Sequence, residues 1–340
     1  MVYLGDANFN SRIFKSAECN IVIASRESAV PGNNIKMSQH NKISVTVVTG
    51  FLGAGKTTFI NRILKANPET QFALVENEFG DVSIDTQLIK GVDATRLFEL
   101  KDGCICCTIT NEYEGILKEL AERFPHVEYL LIETTGIADP VSVIRPFFKD
   151  DELNALYNYN GCVCMVDALH FDNQPEKEIL LKQLAVADEV LITKTEQLTD
   201  TPKKDFKKKI QEMNSLSAIH FAENRATEKF KLNSSVSEIK FHNPEPAGHS
   251  HAKINTKTFR FNQLLDKDEF MRRLAYNLDI HKSIVYRVKG ILCFENEPYE
   301  FILQGVGGSF ELNEGETLVT KPESVLVLIG NFEDLQLDLL

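Results

Sequence analysis

One segment of the sequence combines a glycine-rich turn with a lysine and two hydroxyl side chains. Residues 50–57 read G-F-L-G-A-G-K-T, which matches the pattern G-x-x-x-x-G-K-[ST] in full. The run I-S-V-T-V-V-T before it has the composition of a strand, and K-T-T-F-I-N-R-I-L-K-A-N after it has that of an amphipathic helix. A strand, a glycine-rich turn and a helix in this order predict a loop that holds the phosphates of a nucleotide. The alternative, a turn that carries a lysine by chance, is disfavoured by that context.

Each residue type in this loop has a separate expected task. Glycines let backbone N–H groups approach phosphate oxygens, and the following helix adds the partial positive charge of its N-terminus. The Lys56 ammonium is expected to reach the β- and γ-phosphates, and the Thr57 hydroxyl to bind Mg²⁺. The predicted nucleotide ligands of this loop are Gly53, Ala54, Gly55, Lys56, Thr57 and Thr58.

A phosphate loop needs an acidic side chain at the end of another strand to hold or orient the Mg²⁺ shell. The segment L-L-I-E-T-T-G supplies Glu133, with Gly136 three residues later. We therefore predict a catalytic role for Glu133 beside Lys56, either directly on the metal or through a water molecule. Gly136 suits a sensor of the γ-phosphate, because its amide can approach the phosphate. A simple turn glycine is the alternative for that position.

Base selection is expected at Thr193–Glu196, where the sequence reads T-K-T-E after a strand-like run. Many GTPases carry N-K-x-D at this place, and its carboxylate accepts two N–H bonds from guanine. Thr193 and Glu196 depart from that pattern, while Lys194 can still lay its stem across the purine. The segment predicts a weakened preference for guanine.

Three thiols stand within four residues, at Cys104, Cys106 and Cys107, in a chain with seven cysteines. Thiolates in a loop suit a soft or borderline ion, and Zn²⁺ is the preferred candidate, with cobalt, nickel and iron as alternatives. The fourth position is either an open site or a nearby carboxylate from Glu76, Glu78, Glu112 and Glu114, of which Glu76 is the predicted ligand. Buried structural cysteines and a redox pair are the competing interpretations. For Cys162 and Cys164, on a strand-like run, the structural interpretation is preferred.

The elements that must position these residues follow two different patterns. Strand and helix patterns alternate from residue 43 to 222, which predicts an α/β domain with a mostly parallel sheet. Residue 111 is proposed as the cap of a helix over 111–124, and a strand is expected over 162–168. Farther on, a helix over 266–278 among strand patterns, with turns at 295–298 and 305–310, predicts a small α+β domain. The predicted divisions are a poorly ordered extension (1–42), a P-loop domain (43–223), a linker (224–256) and a C-terminal domain (257–331).

Composition excludes several classes of function. The net charge of −12 argues against a nucleic-acid partner. No apolar run approaches the roughly 20 residues that a membrane span needs. The cysteine pattern is unlike a disulfide framework, and the start of the chain lacks a secretory signal, so we expect a cytoplasmic protein. Whether it forms a homo-oligomer is left open.

Taken together, these motifs resemble those of the CobW-like family of P-loop GTPases, which includes zinc-handling metallochaperones. The matching segments are T-G-F-L-G-A-G-K-T-T, E-N-E-F-G-D-V-S-I-D, G-C-I-C-C, I-E-T-T-G-I-A-D-P and L-I-T-K-T, and the C-terminal pattern agrees as well. The resemblance implies GTP hydrolysis coupled to the binding and delivery of a metal ion to a metal-requiring client protein. It also implies a metal site at C-x-C-C and a switch segment over 76–85, with Asp85 near the Mg²⁺. A histidine-rich stretch common in the family is reduced here to His242, His249 and His251, which we interpret as solvated linker residues.

Two other functions compete with this interpretation. In the first, the protein is a metal reservoir or sensor whose nucleotide only sets affinity. In the second, it is an ATP-using small-molecule kinase with structural thiols. Products separate the three: a kinase makes a phosphorylated acceptor, a GTPase makes free phosphate, and a reservoir makes almost none. The sequence contains no recognisable acceptor-binding motif, which argues against the kinase interpretation.

Overall fold

The computed structural model describes residues 11–16, 19–24, 42–76, 97–101, 110–196, 198–222, 254–318, 323–333 and 335–340. These residues form a nine-stranded sheet covered by helices, followed by a five-stranded sheet. The predicted fold class, an α/β P-loop domain with a small α+β domain after it, is confirmed. None of the helices in the described ranges is long and apolar enough to cross a membrane.

The first sheet is built from strands that alternate with helices along the chain. Its strands are β1 (Ser11–Ser16), β2 (Cys19–Ala24), β3 (Ile43–Gly50), β4 (Phe72–Glu76), β5 (Leu97–Lys101), β6 (Tyr129–Glu133), β7 (Tyr157–Asp167), β8 (Glu189–Thr193) and β9 (Ala218–Phe221). The helices are α1 (Lys56–Ala66), α2 (Thr110–Arg123), α3 (Pro140–Ile144), α4 (Pro146–Lys149), α5 (Asp151–Leu156), α6 (Lys177–Val186) and α7 (Asp200–Met213).

The order of strands in this sheet is β1-β2-β5-β4-β6-β3-β7-β8-β9. Within this order, every pair of neighbouring strands from β5 to β9 is parallel. Strand β3, which leads into the phosphate loop, lies between β6 and β7. The carboxyl ends of parallel strands meet at one edge, so the segments after β3, β6, β7 and β8 converge there.

Both faces of the sheet are buried, as expected for parallel strands with crossover helices. On one face, Ile60 and Ile63 of α1 pack with Val48 and Leu131. On the other face, Leu117 of α2 packs in the cluster that contains Val45 and Val47. Successive β3 side chains therefore point to opposite faces.

Three details of the first sheet differ from the sequence predictions. Strand β7 begins at Tyr157 rather than 162, because Tyr157 and Tyr159 are buried aromatic residues that lengthen the strand pattern. Helix α2 begins at Thr110, so Asn111 lies inside its first turn instead of capping it. Strands β1 and β2 form an antiparallel pair beside β5, in the extension expected to be poorly ordered. The run N-I-V-I-A in β2 is rich in β-branched residues, which favours a strand.

The second sheet is entirely antiparallel, in the order β10-β14-β11-β12-β13. Its elements are β10 (Asn255–Phe261), α8 (Lys267–Ile280), β11 (Val285–Cys293), β12 (Tyr299–Val306), β13 (Ser309–Thr317) and β14 (Ser324–Gly330). The sequence prediction missed β13 and read its start as a turn. This strand, S-F-E-L-N-E-G-E-T, is polar and lies at the edge of the sheet, where charged residues are common.

The two sheets share apolar contacts. Tyr286, Val306 and Ile329 belong to the same buried cluster as Val45 and Val47 of β3. The C-terminal sheet also has its own core, in which Phe270 and Leu274 of α8 are buried. The shared cluster places the C-terminal sheet on the side of the first sheet to which Val45 and Val47 point, the side that α2 covers.

Candidate functional site: a nucleotide-binding edge

The loop between β3 and α1 has the backbone shape that the glycine pattern predicts. Gly55 caps α1 with a φ of 99°, in the left-handed region where side chains are strained, and no side chain caps the helix. The first intrahelical bond at this end runs from Phe59 N to Gly55 O. The start of a helix carries partial positive charge on its backbone N–H groups, so the first turn of α1 suits an anion.

Lys56 and Thr57 emerge from the first turn of α1 toward neighbouring strand ends. The Lys56 side chain is buried, and its Nζ donates to the carbonyls of Gly50 at 3.1 Å and Phe51 at 3.4 Å. The Thr57 hydroxyl donates to the Glu133 carboxylate, with oxygen distances of 3.1 and 3.3 Å. Glu133 ends β6, the neighbour of β3, and this adjacency brings the pair together. Two hard oxygen donors beside the phosphate loop have the chemistry that Mg²⁺ prefers.

Gly136 lies directly against the phosphate loop. A Cβ at this position would stand 2.3 Å from Leu52 N, a distance that no side chain tolerates. The turn that follows Glu133 is therefore in backbone contact with the loop. Gln183 of α6, which the sequence analysis did not single out, donates from Nε2 to Gly136 O at 3.1 Å.

The predicted base-selecting residues line a cavity of about 320 Å³ beside the phosphate loop. Thr193 ties the two parts of the site together, because its hydroxyl is 3.0 Å from Ala54 O. Glu196 is exposed, and Lys194 adopts a left-handed backbone with φ of 57°. The lining residues are Ala54, Gly55, Thr58, Phe59, Arg62, Ile63, Ala66, Met165, Glu189, Leu191, Ile192, Thr193, Lys194, Thr195, Glu196 and Ala222.

Asp167 is a second residue that the sequence analysis missed. It ends β7 and is 5% exposed, and its carboxylate lies 2.7 Å from Lys194 Nζ and 2.8 Å from His170 Nδ1. Burial raises the pKa of this carboxyl, but hydrogen bonds from Lys194 and His170 lower it by more, so that its pKa lies below its ordinary value. Asp167 therefore holds the Lys194 side chain beside the cavity that Thr193 and Lys194 line. The usable signal was its position at the end of a buried strand, as for Glu133.

Of the predicted transition-metal ligands, the structure describes Glu76 alone, and only its backbone. Cys104, Cys106, Cys107 and Asp85 lie outside the described residues, as do His242, His249 and His251. Within the described ranges, no cluster of His, Cys, Asp and Glu could hold a metal ion. The backbone of Glu76 ends β4 and is the register partner of Glu133. Strand β5 ends at Lys101, at the same edge of the sheet, three residues before Cys104.

The other thiols behave as structural cysteines. Cys162 and Cys164 lie on β7 and are fully buried, and burial raises the pKa of Cys164 to about 12. Such thiols stay protonated and do not supply thiolate ligands.

A parallel sheet with a glycine-rich loop between its central strand and a helix, and an acidic residue on the adjacent strand, defines a P-loop nucleotide-binding protein. The comparison with protein families agrees. Residues 44–221 match the CobW/HypB/UreG nucleotide-binding domain, and residues 254–339 match the cobalamin synthesis protein CobW C-terminal domain. The chain belongs to the CobW family of P-loop proteins.

Individual relatives match along most of the chain. Zinc chaperone YjiA of Escherichia coli is 32% identical over 306 residues, which cover 85% of this chain and 94% of the relative. The zinc-regulated GTPase metalloprotein activator 1 of Saccharomyces cerevisiae is 24% identical, and the match covers 86% of this chain and 81% of the relative. The crystal structure of Zn(II)-bound YjiA GTPase from E. coli superimposes with a TM-score of 0.65 and 27% identity, covering 86% of this chain and 95% of that structure.

Proposed function

We propose that this protein hydrolyses GTP and uses the nucleotide cycle to bind a transition metal, preferably zinc, and deliver it to a metal-requiring client protein. The observation that carries the nucleotide half is the convergence of Lys56, Thr57 and Glu133 at the phosphate loop. The metal half is supported by the three clustered thiols and by the similarity to proteins named zinc chaperones and a zinc-regulated GTPase.

In the proposed reaction, the chain's own residues position the phosphates. The N-terminus of α1 binds phosphate oxygens, and Lys56 neutralises charge on the β- and γ-phosphates. Thr57 and Glu133 would hold or orient Mg²⁺, which supplies charge neutralisation between those phosphates when bound. The amide of Gly136 reports the presence of the γ-phosphate, because its turn is in contact with the loop.

The proposed metal site consists of Cys104, Cys106 and Cys107, with Glu76 as a further ligand. Glu76 and the end of β5 belong to the edge of the sheet that also carries the phosphate loop. A ligand set anchored there responds to segments that reorder around the γ-phosphate. Thiolate ligands require reduced cysteines, so we expect the protein to act in the cytoplasm.

We expect GTP to bind more tightly than ATP, by about tenfold to a hundredfold, because hydrogen bonds to a charged acceptor contribute about 1.5–3 kcal/mol. The Glu196 carboxylate accepts from guanine N1 and N2, whereas adenine presents an acceptor at its N1. Competition binding with both nucleotides measures the preference. Glu196→Gln should narrow it, and Glu196→Asp should widen it by restoring the shorter carboxylate of N-K-x-D. Equal or tighter binding of ATP by the wild type would refute the guanine assignment.

Zinc affinity is expected to depend on the bound nucleotide by about 5–150-fold, the usual span of coupling between two sites. Linkage requires that zinc change GTP affinity by the same factor. The measurement is competition with a chelating dye in the apo, GTP-analogue and GDP states. Cys106→Ser should weaken zinc binding in all three states, since one thiolate is lost.

The matched control is Cys293→Ala, which removes a buried thiol of the C-terminal sheet and should leave all three zinc affinities unchanged. If the three wild-type affinities agree within error, the delivery mechanism is wrong. The thiols would then form a passive site on a GTPase.

A further inference from the structure

Helix α6 lies between the turn after Glu133 and the C-terminal sheet. Its Gln183 is fully buried and donates from Nε2 to the carbonyl oxygens of Gly136 at 3.1 Å and Ala138 at 3.4 Å. Two carbonyls of one turn are thus held by a single amide group. Gln183 therefore links α6 to the turn that lies against the phosphate loop.

Lys182, the residue before Gln183, contacts elements on both sides of α6. Lys182 Nζ lies 3.1 Å from a carboxylate oxygen of Asp139, the residue whose side chain caps α3. The same ammonium lies 5.5 Å from the ring centroid of Tyr286 on β11. Lys182 therefore joins the segment after the turn to the C-terminal sheet.

The C-terminal end of α6 is held by a side chain of the second sheet. The last carbonyls of a helix lack intrahelical partners, and Arg287 of β11 donates from Nη1 to the carbonyl of Val186. Arg287 also binds the Asp188 carboxylate through Nη2, and Lys289 Nζ lies 2.6 Å from the same oxygen. The position of α6 along its axis is consequently tied to β11.

A second contact reaches the same turn from the other side. Gly307, between β12 and β13, packs so closely on α3 that a Cβ there would stand 2.5 Å from Val141 Cγ1. Arg145 Nε, just after α3, lies 3.3 Å from Ser309 Oγ. The turn after Glu133 is therefore flanked by α6 and α3, and both are fixed on the C-terminal sheet.

Two polar atoms close to this turn leave hydrogen-bonding capacity unused. Gln183 Oε1 and Thr135 Oγ1 are buried and have no hydrogen-bond partner among the described residues. A buried polar group left unpaired is costly, so the polar atoms here fix the geometry of this region less completely than its packing does.

We propose that Gln183 is a positioning residue for the turn at Gly136–Ala138, and that the C-terminal sheet sets the geometry of GTP hydrolysis through α6. The inference rests on the proposed function, since it concerns the γ-phosphate step. Displacing a positioning group by about 1 Å can cost about a hundredfold in rate, so a small shift of α6 is sufficient to change turnover.

The first test is Gln183→Met, which keeps the volume and removes the donor. Phosphate release from GTP should fall by about tenfold, while GDP affinity stays within about twofold, because GDP has no γ-phosphate to be sensed. Amide hydrogen exchange over residues 134–139 should accelerate even without nucleotide. Asn277→Leu is the matched control, because Asn277 Nδ2 also donates to two carbonyls, those of Arg273 and Asp338, but within the C-terminal domain.

The second test is Arg287→Lys, which retains the charge beside Asp188 and loses the planar donor pair. It should slow hydrolysis and accelerate exchange over 134–139, and its effect should not multiply with that of Gln183→Met, since both act through α6. Unchanged turnover and exchange in Gln183→Met overturn the inference. Equal losses of turnover and GDP affinity, shared by Asn277→Leu, also overturn it. A wild type that releases no phosphate refutes the proposed function instead, and the exchange rates then decide the role of Gln183 alone.

Discussion

Replacing Lys56 with alanine is expected to lower GTP hydrolysis by about 10²–10³-fold, the usual cost of removing one preorganised group that stabilises transition-state charge. The Lys56 ammonium is buried and held within the phosphate loop by the carbonyls of Gly50 and Phe51. Its charge therefore acts where solvent screening is weak, on the phosphate oxygens that gain charge during transfer. Phosphate release under saturating GTP measures the effect.

Zinc stoichiometry should stay at the wild-type value in this variant, because the proposed thiolate ligands do not involve the lysine. Lys65→Ala is the control, since Lys65 lies in the last turn of the same helix and is exposed. It should hydrolyse GTP at the wild-type rate. Hydrolysis by Lys56→Ala at that rate would contradict the assignment of the phosphate loop.

Replacing Asp188 with asparagine is expected to reduce the free energy of unfolding by about 2–3 kcal/mol. Burial raises the pKa of this carboxyl, but Arg287 and Lys289 lower it to about 2, against an ordinary value of 3.8. That difference corresponds to about 2 kcal/mol, and breaking a fully buried ion pair costs about 3–5 kcal/mol. We expect the lower end, because the Asp188 side chain is 25% exposed while that of Arg287 is 4% exposed.

The pH dependence of this contribution has a definite sign. The pKa of Asp188 is lower in the folded state, so its stabilisation is present above about pH 4 and is lost as the pH falls toward 2. The difference in urea midpoint between wild type and Asp188→Asn should therefore be constant from pH 7 to 5 and shrink below pH 4. Asp338→Asn removes a comparable carboxylate from an exposed pair with Arg273 and should change the midpoint little. A difference that is independent of pH down to 3 would show that the charge of Asp188 is not what stabilises the two-sheet contact.

The fold class and the nucleotide loop were predicted from patterns within short stretches of sequence. The G-x-x-x-x-G-K-T match needed only contiguous residues, because the conformation of a tight turn is determined by the glycines within it. Helix α8 (Lys267–Ile280) was predicted over 266–278, within two residues of its observed bounds, since its apolar residues follow the helical period. The polar strand β13 was not predicted, because an edge strand needs few apolar residues and lacks a clear hydrophobic pattern.

The sequence predicted one contact between side chains at neighbouring strand ends and missed another. The pairing of Thr57 with Glu133 was expected because an acidic residue at a strand end is part of P-loop chemistry. No comparable rule links Lys194 with Asp167, although both also stand at adjacent strand ends. The strand order β6-β3-β7-β8 decides these contacts, and the alternation of strands and helices along the chain is compatible with more than one order.

By itself, the sequence determined a P-loop α/β domain followed by an antiparallel domain, a phosphate-binding loop at residues 50–57 and a cluster of three thiols after it. The tertiary structure alone decided that Gln183 holds the turn at Gly136, that Asp167 holds Lys194, and that Arg287 caps α6 beside Asp188. The reason is physical. Backbone conformation and hydrophobic period are set by residues close along the chain, whereas a buried amide or ion pair joins side chains far apart in sequence, and its partner is chosen by the packing of whole elements.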